Sequence, residues 1–585
     1  ADPNDPSKDR KATTLGIKSA QKPNKYLNNF NGAIDEFKIF TSTLSEAQIL
    51  ELFNNPADHS VGVEECPKKY TYNTGNWLPE NPIGVINTQD EIDIKSGDYT
   101  LENDMTCDTF NVSPGASLTI DIGVNLVVEN KLNMESTSSS FSSLICNGTV
   151  SGIVKYNRHV SLIGPVGTND LISPPISGQS FGDFESSNPN LPASGTLRAF
   201  AIYNTTTGIF ENYDSVINEN DQLNSGLGYR TASTDGSTLT FTGVPLGIDV
   251  LNIPISDAGA GNAWNLIGNP YPSYLDFSDF YYANKDEFDS DSAFQAIYGY
   301  DGDASNGWTV WNEATILDNS VKERITPGQA FFVKSKVNGG LINFTKNMRR
   351  VGNTDDFILG RSSNDFNIAL SKLYLISETN TAYTQLYFMD GATRGLDNGL
   401  DAGSYQGDSG EFSIFTNLIE DNTGLDIAIQ SLPYNDFNDA IVPLGVKGDP
   451  QGTLRIGIDN TSNITTSINI YLEDTVLNTL TLLNNTDYFF TPAVNVGGTG
   501  RFFLRYSSQT LSELENQFEN IFIYLNNNKQ IVIKGQLKQH TKVELFDISG
   551  RLVLNQTLND ANRTNIINST NISRGVYVIH ISDLE

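Results

Sequence analysis

The sequence predicts an all-β protein: a string of β-sandwich and short β-solenoid-like domains ending in a small antiparallel sandwich. Three observations carry this. Short segments in which apolar and polar residues alternate recur through the chain, bounded by Gly, Asn or Pro, the pattern of half-buried strands joined by tight turns. Only one stretch shows a convincing helix start, so helix is expected to stay below about a tenth, against roughly a third in ordinary soluble domains. With 49 Gly, 4 Met, 10% aromatic and 18% charged residues, the composition suits a turn-rich folded chain and not a disordered one.

The length of 585 residues exceeds what one hydrophobic core serves and implies about three to five domains. The formal net charge of −32 repels polyanions, which excludes nucleic acid as a partner. Cys66, Cys107 and Cys146 lack CxxC spacing, which excludes a disulfide scaffold or a zinc site. One bridge with one free thiol, or three small buried residues, remain as readings. No apolar run reaches the length of a membrane helix. The opening Ala1-Asp2-Pro3 carries no signal peptide and reads as the start of a processed or cut fragment.

Residues 1–57 hold the helix. The segment 30–40 alternates like a strand, and Thr43-Leu44-Ser45-Glu46-Ala47-Gln48-Ile49 follows. Ser45 can cap the helix, Gln48 sits three positions on to complete a capping box, and Leu44 can staple onto Ile49. The helix is expected to end near Phe53. The pattern FNGAIDEFKIF…LSEAQILELF resembles the C-terminal end of a laminin-G-like, concanavalin-type domain, and the resemblance implies that an upstream portion of such a sandwich precedes it.

Residues 58–69 read as a linker. From 70 to 157, short strands such as Ser117-Leu118-Thr119-Ile120 and Asn125-Leu126-Val127-Val128 alternate with turns like Ser113-Pro114-Gly115 about every ten residues, which predicts stacked solenoid rungs or a sandwich of short strands. Met105, Cys107, Phe110 and Val112 should point inward. Residues 158–360 read as a larger β domain. In it Gly268-Asn269-Pro270 turns the chain after a buried strand, and Pro327-Gly328 turns it before one. Residues 361–507 predict a β-sandwich, with strands near 386–389, 412–415, 454–458, 468–472 and 502–506.

Residues 509–585 carry the most specific pattern. Strands 521–524, 531–533, 543–547 and 552–554 are separated by turns, the third running through Ile548-Ser549-Gly550-Arg551 into the fourth. The order VELFDISGRLV…NISRGVYVIHI closely resembles a type A C-terminal sorting domain of type IX (Por) secretion cargo from Bacteroidetes. The resemblance implies an Ig-like antiparallel sandwich, passage through the outer-membrane translocon, contact with an outer-membrane shuttle protein, and a secreted or cell-surface location associated with the outer membrane. The matching positions are Asp547, Gly550, Arg551, Gly575 and Tyr577. Gly550 and Gly575 are expected to supply turn conformations barred to residues with a Cβ. Arg551 either pins its turn or serves as recognition surface. Family members normally continue into a final basic strand, and this sequence ends at Ser582-Asp583-Leu584-Glu585, which reads as a sorting domain missing its last strand.

Chemistry is sparse. His59, His159, His540 and His580 are scattered, without ligand or triad spacing, and no nucleophile-elbow, zincin or P-loop motif occurs. The chain is therefore expected not to be an enzyme. Asp301, Asp303 and Ser305 alternate along Asp301-Gly302-Asp303-Ala304-Ser305-Asn306-Gly307. That run resembles a calcium loop, but its glycine falls one place late for an EF-hand, so a calcium site and a solvated turn stand as alternatives. No other cofactor is implied. Trp308 and Trp311 read either as a sugar-stacking platform or as core. Asp214-Ser215-Val216, Asp291-Ser292-Ala293 and Asp474-Thr475-Val476 fit the acceptor pattern of Bacteroidetes O-glycosylation at Ser215, Ser292 and Thr475. The function expected is that of a surface adhesin or carbohydrate-binding protein with extracellular glycans as partners. The competing reading is the non-catalytic C-terminal part of a secreted polysaccharide-degrading enzyme.

Overall fold

The computed structural model describes residues 45–54, 67–164, 168–259, 262–290, 293–300, 302, 308–318, 323–356, 368–405, 412–447, 452–465, 467–492, 498–508, 522–525, 529–534, 540–558, 564–573 and 575–583. Strand accounts for 52% and helix for 8%, within the expected tenth. The chain divides into two compact units, Ala1–Lys68 and Lys69–Glu585.

In the first unit the helix Glu46–Asn54 starts as its sequence requires. The Ser45 amide donates to Gln48 Oε1 at 2.8 Å and the Gln48 amide donates to Ser45 Oγ at 3.3 Å, so two otherwise orphaned helix donors are satisfied reciprocally. Among the described residues it is the longest helix. The strand-like 30–40 of the laminin-G-like pattern and Cys66 lie outside the described residues.

The second unit opens as a parallel solenoid. Lys69–Asn73, Glu91–Ser96, Met105–Val112 and Asn125–Met134 pair in parallel, and Asp98–Leu101, Ser117–Ile120 and Ser143–Cys146 form a second parallel sheet. Gly97, between Glu91–Ser96 and Asp98–Leu101, adopts φ +80°, the left-handed conformation that lets a rung turn without a Cβ clash. Met105, Cys107, Phe110 and Val112 are buried inside, as is Cys146, and Cys107 and Cys146 are free thiols. Burial pushes the Cys107 thiol up to about 12, so it behaves as a small apolar side chain.

The solenoid core continues past residue 157. Val154–His159 pairs with Asn125–Met134 on one side and antiparallel with Thr238–Pro245 on the other, and one hydrophobic cluster runs from Tyr70 to Phe241. Both expected turns of the next stretch are present. Trp264–Gly268 is buried throughout, and the Asn269 side chain holds its turn by donating to the carbonyls of Ser273 and Thr326 at 2.7 and 2.9 Å. Gly328, at φ +64°, precedes the buried strand Ala330–Lys334.

Residues 368–507 form one 11-stranded sheet. Pairing is antiparallel except between Thr381–Met389 and Ile427–Pro433. Where two sheets of a sandwich were expected, one sheet curls almost into a barrel. Its opposite ends meet where the Tyr488 hydroxyl donates to Asp474 Oδ2 at 2.7 Å. Inward alternation fills such a barrel as it would a sandwich, which is why the strand pattern alone does not separate the two. Leu171, Trp264 and Phe332 share a cluster with Ile368, Tyr387 and Ile429, so packing also crosses residue 360.

The unit ends in two three-stranded antiparallel sheets, Phe522–Leu525 with Gln530–Lys534 and Thr564–Asn568, and Leu552–Leu558 with Thr541–Asp547 and Tyr577–Asp583. Ile531, Ile533, Val543, Leu545, Leu558 and Ile567 fill the space between them, giving the small sandwich expected.

Candidate functional site

Thr541–Asp547 and Leu552–Leu558 form a hairpin whose loop is Ile548-Ser549-Gly550, closed by Asp547 opposite Arg551. The Gly550 amide donates to the Asp547 carbonyl at 2.9 Å and the Asp547 amide to the Arg551 carbonyl at 3.0 Å, while Gly550 adopts φ +80°. This is a β-turn followed by a left-handed residue, the geometry that a three-residue hairpin loop requires and that favours Gly. Asp547 closes the turn from inside. Its Oδ1 accepts from the Ser549 amide at 3.0 Å, the Ser549 hydroxyl at 2.6 Å and the Arg551 amide at 3.1 Å, and its Oδ2 accepts from Arg551 Nε at 3.2 Å. Burial raises the Asp547 carboxyl, but the bonds from Ser549 and Arg551 outweigh it and hold the group below its ordinary value. The stabilisation from that lowered pKa is complete above the unfolded carboxyl's range and is lost as pH falls through the lowered value.

Arg551 thus pins its turn, and its side chain remains 60% exposed. Gly550 is buried. A Cβ there would lie 1.3 Å from Thr499 Oγ1 and 3.0 Å from Asn417 Oδ1, so glycine is required by space as well as by φ.

Gly575 departs from expectation, since its φ lies outside the left-handed region. It leaves room for an aromatic ring instead: a Cβ would stand 3.2 Å from the Tyr577 ring, and the Tyr577 hydroxyl donates back to the Ser573 carbonyl at 2.9 Å. Tyr577 pairs in register with Asp547, so the two halves of the motif sit on adjacent strands of one sheet.

A second feature was legible only through Trp308. A cleft of about 530 Å³ is lined by Tyr203, Phe210, Arg230, Tyr300, Trp308 and Tyr405 among others. Trp308 and Tyr405 stack at 4.1 Å between ring centroids, Tyr300 lies 5.1 Å from Trp308, and the Arg230 guanidinium covers Phe210 at 4.2 Å. These six side chains are half-buried. Trp308 and Trp311 stand three apart on one strand, so they face opposite ways. Trp308 lines the cleft, while Trp311, 1% exposed, packs on Phe277 in the core.

Asp301, Asp303 and Ser305 of the calcium-loop pattern, and Ser292, lie outside the described residues. Ser215 and Thr475 occupy matching turns. Asp214 Oδ1 accepts from the amides of Val216 and Ile217, and Asp474 Oδ1 from those of Val476 and Leu477. Both loops present exposed aliphatic tips, Val216 and Ile217 in one, Val476 and Leu477 in the other. The Thr475 hydroxyl donates to the Arg501 carbonyl at 3.0 Å, and Asp474 is held by Arg501 at 2.6 Å. Among the described residues no three His, Cys, Asp or Glu side chains cluster as metal ligands.

No curated protein and no solved structure matches the chain. Two family models do. Residues 525–585 match the secretion system C-terminal sorting domain, which marks the protein as secreted, cell-surface cargo of the type IX pathway and its hairpin domain as the part recognised by that machinery. Residues 68–506, well over half of the sequence, match the second model, and the chain therefore belongs to the family described as Domain of unknown function (DUF8693), here joined to a sorting domain.

Proposed function

We propose that the exported protein is a non-enzymatic, surface-displayed carbohydrate-binding protein, an adhesin in role, which holds glycans in the aromatic cleft of its DUF8693 region. The observation that carries this is the set of half-buried rings around an open cleft, with Arg230 at its wall. Partly exposed Trp and Tyr offer a flat apolar face and a polar tip, which suits a sugar's C–H face and its hydroxyls. In the same reading, the translocon and an outer-membrane shuttle protein are the partners that take up the sorting domain, with Arg551 as the exposed contact.

Screening the full chain on an array of bacterial, plant and host glycans is expected to find at least one ligand class. Trp308→Ala should weaken that ligand at least tenfold, about 1.4 kcal/mol, and Trp308→Phe, which keeps a ring against Tyr405 and Phe332, should weaken it less. A wild-type protein that binds no glycan, or a Trp308→Ala variant that binds as tightly, would remove this reading.

A further inference from the structure

Two strands carry large apolar residues on faces that alternation turns away from their own cores. In Phe502–Ser507, the side chains of Phe502, Leu504 and Tyr506 join the barrel core, so Phe503 points outward. It is nevertheless only 2% exposed. In Thr541–Asp547, Val543 and Leu545 fill the small sandwich, so Glu544 and Phe546 point outward, and both are buried. The two faces cover each other. The Phe503 ring stacks on His580 with centroids 5.2 Å apart and planes at 14°, and lies 6.4 Å from Phe546.

Around this pair the barrel offers backbone without side chains. A Cβ on Gly424 would meet Arg551 Cβ at 3.2 Å, one on Gly498 the Ile548 carbonyl oxygen at 3.0 Å, and one on Gly500 would meet Val578 Cβ at 3.8 Å. Polar groups complete the fit. Thr499 Oγ1 donates to Asn417 Oδ1 at 2.7 Å beneath Gly550, and Asn422 Nδ2 donates to the Gly550 carbonyl at 3.4 Å. Apolar residues placed against the pattern on both partners, close backbone approach and buried hydrogen bonds together describe an interface built for one occupant.

We propose that residues 417–424 and 498–503 of the DUF8693 barrel are a seat for this chain's own sorting domain. The seat takes Gly550 and the Glu544–Phe546–His580 face downward and leaves Ile548, Ser549 and the Arg551 guanidinium outward. The cargo thereby orients the motif turn, and the surface met by the secretion machinery is the turn as the barrel presents it. This stands independently of the glycan reading.

Engineered disulfides in the full chain test it. A Cβ–Cβ separation near 3.8 Å is the usual disulfide geometry. The pair Gly500→Cys/Val578→Cys stands at that separation and Gly424→Cys/Arg551→Cys slightly inside it, at 3.2 Å; both are expected to close under mild oxidation at least tenfold faster than Gly500→Cys/Ile566→Cys, which carries the same strain of a side chain at the positive φ of Gly500. In that control the sorting-domain cysteine stands on the other sheet of the sandwich and is equally tethered. Adding Phe503→Lys should slow closure of whichever pair forms at least tenfold without lowering the barrel's melting temperature, because Phe503 lies outside the barrel core; adding Phe503→Leu should not. Equal closure by seat and control pairs, failure of both seat pairs to outpace the control, or closure indifferent to Phe503→Lys would overturn the seat.

Discussion

Gly550→Val is expected to cost about 2–5 kcal/mol in all, part as backbone strain within the sorting domain and part at its contact with the barrel, and to cut export of the full chain at least tenfold. Two separate costs add. A side chain at φ +80° pays roughly 1–2 kcal/mol for the left-handed conformation, and a Cβ placed 1.3 Å from Thr499 Oγ1 forces repacking of the kind that typically costs 1–3 kcal/mol. The domain has little to spare, since its core consists of a few aliphatic side chains between two three-stranded sheets. The terms can be separated. Gly550→Asn tolerates the backbone conformation but keeps the clash, and Gly550→Ala combined with Thr499→Gly relieves the clash but keeps the strain. Each should recover part of the loss, read as the unfolding midpoint of the C-terminal transition. Gly575→Val should be the milder change, because Gly575 is not left-handed and only the edge of the Tyr577 ring must give way. Equal effects at the two glycines would contradict this account of the turn.

Asp356→Ala should cost about 3–5 kcal/mol, far more than an exposed ion pair, which is worth at most about 1 kcal/mol. Arg158 leaves the solenoid strand Val154–His159 and is 1% exposed, and its Nη2 meets Asp356 Oδ2 at 2.6 Å. The guanidinium also lies over Phe141 at 4.1 Å, Arg158 Nη1 donates to the His159 carbonyl at 3.0 Å, and the Thr326 hydroxyl donates to Asp356. Removing the carboxylate leaves a buried cation that keeps only the weaker countercharge of Asp170, at a junction between the solenoid and the segment that precedes the barrel. Chemical denaturation of the full chain should show the loss at constant slope. Asp356→Asn, which keeps a hydrogen-bond acceptor, should lose less. A loss below about 1 kcal/mol for Asp356→Ala would mean that water reaches the pair.

Local signals were the most legible part of the sequence. The Ser45–Gln48 capping box, the inward side chains of the solenoid rungs and the glycine of the Asp547–Arg551 turn all depend on residues within a few positions of one another, and the structure has each as read. Pairing between distant strands was not legible. Ile368–Ile376 lies against Leu454–Ser462, and alternation says which face is buried without naming the neighbour. The aromatic cleft was legible only through Trp308 for the same reason, because Tyr203, Arg230 and Tyr405 join it only through the tertiary fold. Gly575 was read as a left-handed glycine because a turn explains Gly in a sequence more often than a facing ring does. Phe503 had a signal in principle: Phe502 and Phe503 are adjacent and both large, which breaks the alternation of a half-buried strand and marks a strand covered on both faces.

Residues 525–585 route this protein through type IX secretion. That route is tested by expressing the protein in a type IX-competent Bacteroidetes host and in an isogenic translocon-deficient strain, and quantifying protein at the cell surface and in the medium against the periplasmic pool. Surface and medium protein are expected in the first strain and retention in the periplasm in the second, with deletion of 525–585 reproducing the retention in the competent strain. Equal export from both strains, or export undiminished by the deletion, would contradict it.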